Sequence, residues 1–344
     1  MLTKQNLKIV FMGTPDFAAW SLRKLVEGGY NVVGVVTMPD KPIGRHGSVL
    51  QPSPVKQYAT THNIPVLQPD KLKDEGFLAQ LRSLEADLQI VVAFRMLPEV
   101  VWGMPPLGTF NLHASLLPQY RGAAPINWAV INGDAETGIT TFFLRHEIDT
   151  GDIIQQVRVP ILPTDNAGDV HDKLMMLGGE LVTETVDNII AGTVKPIPQE
   201  EFWNSESQNL GTTEPQNLRP APKIFHETCR IDWNQPSVSV HNFVRGLSPY
   251  PAAWTTLNST QVKIFETSVI ESEKLSELSE PLEHSNVQSS ESFGAIKSDG
   301  RTYIHVQTSD GFVAVNTLQL AGKKRMPVED FLRGFRFTSE LRFV

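Results

Sequence analysis

The first half of the chain alternates short apolar runs with segments of helical periodicity, and this alternation limits the folds open to it. Apolar runs occupy residues 7–12, 31–37 and 87–94, and segments with helical spacing of apolar residues follow them. The longest helical pattern covers 169–192. This order predicts an α/β fold, a doubly wound and mostly parallel sheet with helices on both faces. Ligands in such sheets bind at the carboxyl ends of strands, so we expect functional residues just after the apolar runs.

The pattern changes near residue 195. Residues 195–222 are rich in Pro, Asn, Gln and Ser without a sustained period, which is typical of a linker. A helix around 238–247 and several short strand-like segments follow, as in a small antiparallel barrel. We therefore predict a first domain over 1–200, a linker over 201–222 and a second domain over 223–344.

Charge and cysteine content set limits on partners and compartment. The formal net charge is −8, but the acidic excess lies in the first 222 residues and in the segment 271–292, so the rest of the second domain is mildly basic. Local contact with a phosphate backbone is therefore possible. Cys229 is the one cysteine, which excludes an internal disulfide, and no run reaches the roughly 18 apolar residues of a membrane span. With no signal-peptide pattern at the N-terminus, we expect a cytoplasmic monomer without membrane contact.

The stretch GTFNLHASLLPQYRGAAPINWAVINGD, residues 108–134, carries the clearest chemical signal. If TFNLH is a strand, Asn111 and His113 project from the same face. An amide beside an imidazole suits stabilisation of the oxyanion of a tetrahedral intermediate, and the imidazole can also transfer a proton. The alternative is that both side chains only satisfy backbone groups at the strand end.

A second stretch, HEIDTGDII, places Asp149 in a turn before an apolar strand. An aspartate near His113 could fix its tautomer or relay a proton through water. The alternative is a turn aspartate that caps its own backbone. The spacing alone leaves both interpretations open.

Several other kinds of site are disfavoured. The histidines and the cysteine lack metal-ligand spacing such as HExxH or CxxC, so we expect no metal. The first turn, MGTPDF, lacks the GxGxxG pattern of dinucleotide sites, and neither a phosphate-binding GxxxxGK[ST] loop nor a GxSxG elbow occurs. The Pro- and Gly-rich loop 39–56 suits either a substrate lid or an ordinary surface loop.

Taken together, FNLHASLLPQYRGAAPINWAVINGD and IDTGDII resemble the 10-formyltetrahydrofolate-dependent formyltransferases. FMGTPDFA, DKPIGR, PSPVK, RGAAPI, RGLSPYPAAWT and AGKKRMPVEDFLRG are similar to those members that act on methionyl initiator tRNA. The resemblance runs from residue 9 to about residue 334. It implies a formyltransferase fold followed by an OB-like β-barrel domain, with 10-formyltetrahydrofolate as formyl donor and methionyl initiator tRNA as acceptor.

The resemblance also implies roles for individual residues. The family's catalytic set corresponds here to Asn111, His113 and Asp149. Its folate site corresponds to Ser115, Leu116, Leu117 and Pro118, and its pterin pocket to the backbone of Arg95, Met96 and Leu97. Arg45 matches the loop arginine that the family directs toward the tRNA acceptor end. The basic residues Lys323, Lys324 and Arg325 are a further candidate for tRNA contact.

Two features depart from the tRNA-specific pattern. The loop after Arg45 lacks the lysines that bacterial members often carry, and AFRMLP is closer to the glycinamide ribonucleotide branch. The alternatives are formylation of an amino-sugar nucleotide, hydrolysis of the folate by water, and a folate- or RNA-binding module without activity. The intact set Asn111, His113 and Asp149 argues against the last of these.

Overall fold

The computed structural model describes residues 1–43, 49–202, 218–270, 293–335 and 342–344. The chain forms two compact units. The first comprises Met1–Pro125, Glu136–Pro160 and His171–Pro222, and the second comprises Ile126–Ala135, Ile161–Val170 and Lys223–Val344. Two short segments from the first half of the sequence, Ile126–Ala135 and Ile161–Val170, therefore belong to the second unit.

The first unit is organised around a seven-stranded sheet with the order β5-β2-β1-β6-β7-β8-β9. Its strands are β1 (Ile9–Gly13), β2 (Val32–Val36), β5 (Val66–Leu67), β6 (Leu88–Val92), β7 (Thr109–His113), β8 (Glu136–Phe143) and β9 (Ile153–Pro160). The strands from β5 to β7 pair in parallel, whereas β8 runs antiparallel to both of its neighbours. The predicted mostly parallel sheet is confirmed.

The central strands are buried because their sequences are continuously apolar. All five residues of β1 and of β6 are buried, as expected for strands covered on both faces. The helices that follow them are α1 (Asp16–Glu27), α2 (Pro54–Thr61), α3 (Glu75–Ser83), α4 (Glu99–Trp102), α5 (Pro125–Ile131) and α6 (Ala167–Ala191). The helix predicted over 169–192 corresponds to α6.

Local sequence accounts for where the shorter helices begin. Ser53 precedes α2 and its side chain accepts a hydrogen bond from the backbone N–H of Lys56, with Pro54 in the first turn. Asp74 caps α3 in the same way through the N–H of Phe77. The loop 39–56 differs from expectation, because it contains a small hairpin of β3 (Lys41–Ile43) and β4 (Val49–Gln51).

The second unit contains an antiparallel sheet with the order β10-β11-β14-β13-β12, and β15 pairs with β14. The strands are β10 (Ala253–Leu257), β11 (Thr260–Val269), β12 (Ile296–Lys297), β13 (His305–Gln307), β14 (Phe312–Leu320) and β15 (Met326–Pro327). The unit also contains a short 3-10 turn, Glu227–Cys229, and two helices, α7 (Ser237–Leu247) and α8 (Val328–Gly334).

The end of the chain joins the two edges of this second sheet. Phe343 bridges Leu257 at the end of β10, and Arg342 bridges Ala295 just before β12. Joining the edge strands satisfies backbone groups that an open sheet would leave exposed. This arrangement agrees with the predicted antiparallel barrel. The core of this unit includes Trp233, Val244 and Phe343. The rings of Trp233 and Phe343 stack with their centroids 5.7 Å apart.

Candidate active site

Strand β7 supplies the amide and the imidazole that the sequence singled out. It lies between β6, where Val91 faces Asn111, and β8, where Thr140 faces His113. Asn111 is half-buried, and its Oδ1 atom is buried without a hydrogen-bond partner among the described residues. An unsatisfied buried acceptor costs about 1–3 kcal/mol, so this amide is a candidate to hold a polar ligand.

His113 is oriented by the carbonyl oxygen of Tyr120. The His113 Nε2 atom lies 2.8 Å from that oxygen. A carbonyl can only accept, so Nε2 carries a proton and the neutral ring keeps its lone pair on Nδ1. The His113 side chain is 7% exposed and packs edge-on against Phe142, with centroids 6.4 Å apart. Nδ1 is therefore the nitrogen that remains available for chemistry.

Asp149 meets His113 from the segment between β8 and β9. Its Oδ2 atom lies 3.9 Å from Nδ1 of His113 and accepts a hydrogen bond of 2.9 Å from the backbone N–H of Gly122. Its partner is therefore 27 positions away along the chain and not within its own turn. The carboxylate lies where it stabilises a protonated His113 ring.

The backbone conformation around these residues is unusual. Asp149 and Tyr120 have φ values of 55° and 60°, and Ala93 at the end of β6 has a φ of 46°. Side-chain-bearing residues rarely adopt this left-handed region, and such residues cluster at functional sites. Tyr120 and Ala93 could not be predicted from the sequence, because no local pattern marks a non-glycine residue for a positive φ.

Position 122 requires glycine because the backbone at Ala221 approaches it closely. Its φ is 126°, and a Cβ atom at this position would lie 2.5 Å from the carbonyl oxygen of Ala221. Ala221 also accepts a backbone hydrogen bond of 2.7 Å from Ala123. Arg219 likewise accepts one of 2.7 Å from the N–H of Tyr120. Residues at the end of the predicted linker therefore hold the loop that contacts both His113 and Asp149.

The SLLP motif, residues 115–118, forms a loop after β7 that is held by hydrogen bonds. Ser115 is fully buried and its hydroxyl donates to the carbonyl of Gln119 at 2.6 Å. Thr140 on β8 donates to the Ser115 carbonyl at 2.7 Å and accepts from the Leu117 N–H at 3.2 Å. Leu117 and Pro118 are buried as well, and Leu116 is half-buried.

The segment after β6 presents a mixed surface. Met96 is 74% exposed, whereas Leu97 packs into the apolar core of the first unit. The guanidinium of Arg95 donates to the carbonyl of Asp70 at 2.9 Å and also to that of Pro69. Arg95 thus ties the segment to a neighbouring loop through its side chain.

The remaining sequence-based expectations concern Arg45, metal binding, membrane contact and the basic residues 323–325. Arg45 lies outside the described residues. Within the described ranges no group of three or more side chains could hold a metal ion. None of the described helices is long and apolar enough to cross a membrane. Lys323, Lys324 and Arg325 are exposed between β14 and β15, and the Arg325 guanidinium lies 4.5 Å from the ring centre of Phe265.

Both halves of the chain match models of known families. Residues 7–186 match the family described as formyl transferase. Residues 223–336 match the formyl transferase C-terminal domain. The two matches cover the seven-stranded sheet of the first unit and most of the second.

Proteins of nearly the same length are similar to the chain throughout. A methionyl-tRNA formyltransferase of Parabacteroides distasonis is 62% identical over 98% of this chain and 99% of its own. One of Phocaeicola vulgatus is 64% identical over 97% of this chain and 98% of its own. The similarity therefore includes both units and the segment between them.

Solved structures with much lower identity share the fold. WlaRD, a sugar 3N-formyl transferase solved with dTDP and 5-N-formyl-THF, is 20% identical with a TM-score of 0.61, over 92% of this chain and 99% of its own. HypX from Aquifex aeolicus, solved with tetrahydrofolic acid, is 18% identical with a TM-score of 0.58, over 94% of this chain and 46% of its own. At these identities the likeness concerns the fold alone. Together with the family matches and the close relatives, these findings establish that the chain belongs to the formyltransferase family.

Proposed function

We propose that this chain transfers the formyl group of 10-formyltetrahydrofolate to the free amino group of methionyl initiator tRNA. The observation that carries the proposal is the 62–64% identity, across both units, to proteins named methionyl-tRNA formyltransferase. Formylation of an amino-sugar nucleotide is less well supported, because the sugar formyltransferase WlaRD shares the fold at only 20% identity. Such a reaction belongs to translation initiation in the cytoplasm, and we propose a monomer acting there.

The donor set on β7 is suited to a formyl group. The Oδ1 atom of Asn111 has no hydrogen-bond partner among the described residues, and the side chain lies on the same strand face as His113. The folate supplies a formyl carbon that an amine can attack. Asn111 Nδ2 donates to the formyl oxygen, where negative charge develops, and such a donor stabilises a transition state by about 3–4 kcal/mol.

His113 and Asp149 manage the protons. Because Nε2–H of His113 is bound to the Tyr120 carbonyl, the proton that moves is the one on Nδ1. In the protonated ring, Nδ1–H supports the developing oxyanion and then passes its proton to the leaving folate nitrogen, which leaves the ring neutral. Asp149, 3.9 Å away, stabilises the ring while it is positively charged. Asp149 also accepts, directly or through water, the proton that the attacking amine loses. Passing that proton to Nδ1 of His113 restores the protonated ring and the free carboxylate, so the enzyme ends each cycle as it began.

Binding roles follow from the resemblance and the exposed surface. We assign the folate to the backbone of Arg95, Met96 and Leu97 and to the SLLP loop, residues 115–118. The exposure of Met96 supports this assignment, because an exposed apolar side chain can cover one face of a flat ring. Arg45 is assigned to the tRNA acceptor end. We retain 1–200 as the catalytic domain, 201–222 as the linker and 223–344 as the second domain.

A competition between acceptors tests the proposal. The purified full chain is given 10-formyltetrahydrofolate with methionyl initiator tRNA and a 4-amino-sugar nucleotide in one reaction, and formylated products are separated. We expect the formyl group on the tRNA. Transfer to the sugar would replace the proposal with the sugar alternative. Release of formate without an acceptor would indicate the hydrolase alternative.

A further inference from the structure

Gln199 is a buried amide whose hydrogen bonds all converge on the candidate active site. It follows α6, just before the predicted linker, and is 3% exposed. Its Oε1 atom accepts from Nε and Nη2 of Arg121 at 3.0 and 2.6 Å. Its Nε2 atom donates to the carbonyls of Asp149 and Gly151 at 2.9 and 2.8 Å. A side-chain amide has two donor hydrogens and two acceptor lone pairs, and Gln199 uses all four.

Gln199 binds two carbonyls of the turn that carries the Asp149 carboxylate, and these hydrogen bonds fix the turn. Asp149 has a φ of 55°, and a Cβ atom at Gly151 would collide with the carbonyl oxygen of Phe143. The turn is therefore both strained and tightly packed. Ile197 and Ile153 exchange two backbone hydrogen bonds of 2.9 Å, which hold the Gln199 segment against the start of β9. Gln199 thus acts from an anchored backbone.

Arg121 completes the arrangement from the other side of Asp149. Its guanidinium forks onto Gln199, and the next residue, Gly122, donates its N–H to the Asp149 carboxylate. Burial lowers the pKa of Arg121, whereas nearby acidic side chains, Asp149 first, raise it. A guanidinium keeps its charge at neutral pH even so.

We propose that Gln199 and Arg121 are positioning residues for Asp149, so that the stretch after α6 is part of the catalytic machinery and not only a connection between domains. Neither side chain needs to touch the reacting atoms. Together they hold the backbone of Asp149 through its carbonyl and its carboxylate through Gly122. This inference rests on the proposed function, because it takes Asp149 as a member of the reacting set.

The test compares two buried glutamines of the same unit. Gln199→Leu removes all four hydrogen bonds at nearly constant size. Gln89→Leu is the matched control, because Gln89 is 1% exposed on β6 and accepts a bond of 3.1 Å from Thr109, at the opposite end of β7 from His113. We expect both variants to lose thermal stability. Only Gln199→Leu should lose kcat, by about tenfold to a hundredfold, with KM for both substrates little changed.

A second pair of variants distinguishes positioning of Asp149 from a purely structural role of Arg121. Arg121→Lys keeps the charge and an ammonium donor group, whereas Arg121→Met keeps neither. We therefore expect Arg121→Lys to retain part of the kcat that Arg121→Met loses. The inference is overturned if Gln199→Leu keeps the kcat of Gln89→Leu, or if Arg121→Lys and Arg121→Met are equally active. A wild-type chain that transfers no formyl group would instead contradict the proposed function. In that event the ring nitrogen resonances of His113 decide the inference, since only Gln199→Leu should alter them.

Discussion

The Nδ1 atom of His113 and the Oδ2 atom of Asp149 lie 3.9 Å apart, close enough for electrostatic stabilisation but too far for a direct hydrogen bond. The ring is held from its other nitrogen by Tyr120, and the carboxylate is held by Gly122. Both partners are thus fixed by the same loop, through two separate backbone groups. The gap between them leaves Nδ1 free to give or take a proton without first breaking a bond to Asp149.

Substitution of the catalytic trio should abolish most turnover. We expect Asn111→Ala, His113→Ala and Asp149→Ala each to lower kcat by about a hundredfold or more. Asp149→Asn is the sharper variant, because its amide oxygen can still accept from Gly122 while the charge is gone. Steady-state kinetics on variants with wild-type thermal unfolding would measure this. Near-full turnover in all of them would make the assignment of this trio wrong.

Gly122→Ala should damage both folding and activity. The added Cβ lies 2.5 Å from the Ala221 carbonyl, and the φ of 126° is unfavourable for alanine. Gly192→Ala is the matched control, since Gly192 also has a positive φ, 67°, but has nothing within 4 Å of the added atom. We expect Gly192→Ala to lower the free energy of unfolding by about 1–2 kcal/mol and to leave kcat unchanged. Gly122→Ala should cost more and lower kcat as well. Equal behaviour of the two variants would argue against a tight junction at Ala221.

The stability of the second unit should depend on pH through Asp310. Its carboxylate accepts from the backbone N–H and the hydroxyl of Ser237, at 2.8 and 2.9 Å, at the start of α7. These hydrogen bonds, the backbone N–H of Ser237 foremost, lower the pKa of Asp310 below its usual value. A carboxyl with a lowered folded-state pKa stabilises the fold above its unfolded pKa of about 3.9 and loses that contribution as the pH falls through the folded value.

Asp310→Asn tests this dependence. The amide oxygen still accepts from Ser237, but the charge at the helix N-terminus is lost, which should cost about 0.3–1 kcal/mol at neutral pH. Denaturant unfolding of the full chain at about pH 7 and about pH 3 should show a smaller acid-induced loss in the variant than in the wild type. An identical loss in both proteins would show that Asp310 does not contribute to the acid sensitivity.

Lys323 and Lys324 should contribute to tRNA binding by neutralising phosphates. Replacing both with alanine should weaken binding and reduce the slope of log K against log salt by about 0.9 for each phosphate that is no longer neutralised. Lys71 and Lys73, two exposed lysines of the first unit, serve as the control pair. Titration with methionyl initiator tRNA at several salt concentrations would measure both slopes. A wild-type slope in the Lys323 and Lys324 variant would remove these residues from the interface.

Much of the fold was predictable because its signals are local. The apolar runs of β1 and β6 and the helical spacing of α6 each lie within one continuous stretch, and each appears in the structure where it was expected. Strands β8 and β9, which follow one another along the chain, are antiparallel neighbours. The hairpin of β3 and β4 was missed, because its prolines and glycines are typical of a loop.

The site was predictable only in part. Asn111 and His113 share a strand face by simple alternation, so their relationship could be read from the sequence. The contacts of Tyr120, Gly122 and Gln199 with the trio depend on chain segments that meet only in the folded protein. No periodicity or composition in 195–222 indicates that both ends of this stretch return to the site.

Following the formyl group through a single reaction shows whether this chain formylates methionyl initiator tRNA. The full chain is incubated with 10-formyltetrahydrofolate labelled in its formyl carbon and with methionyl initiator tRNA, and the label is located by mass spectrometry. We expect one labelled formyl group on the methionyl amine for each folate consumed, at a rate that His113→Ala reduces by about a hundredfold or more. Label recovered as free formate, or an unlabelled methionyl amine after the folate is consumed, would contradict this expectation.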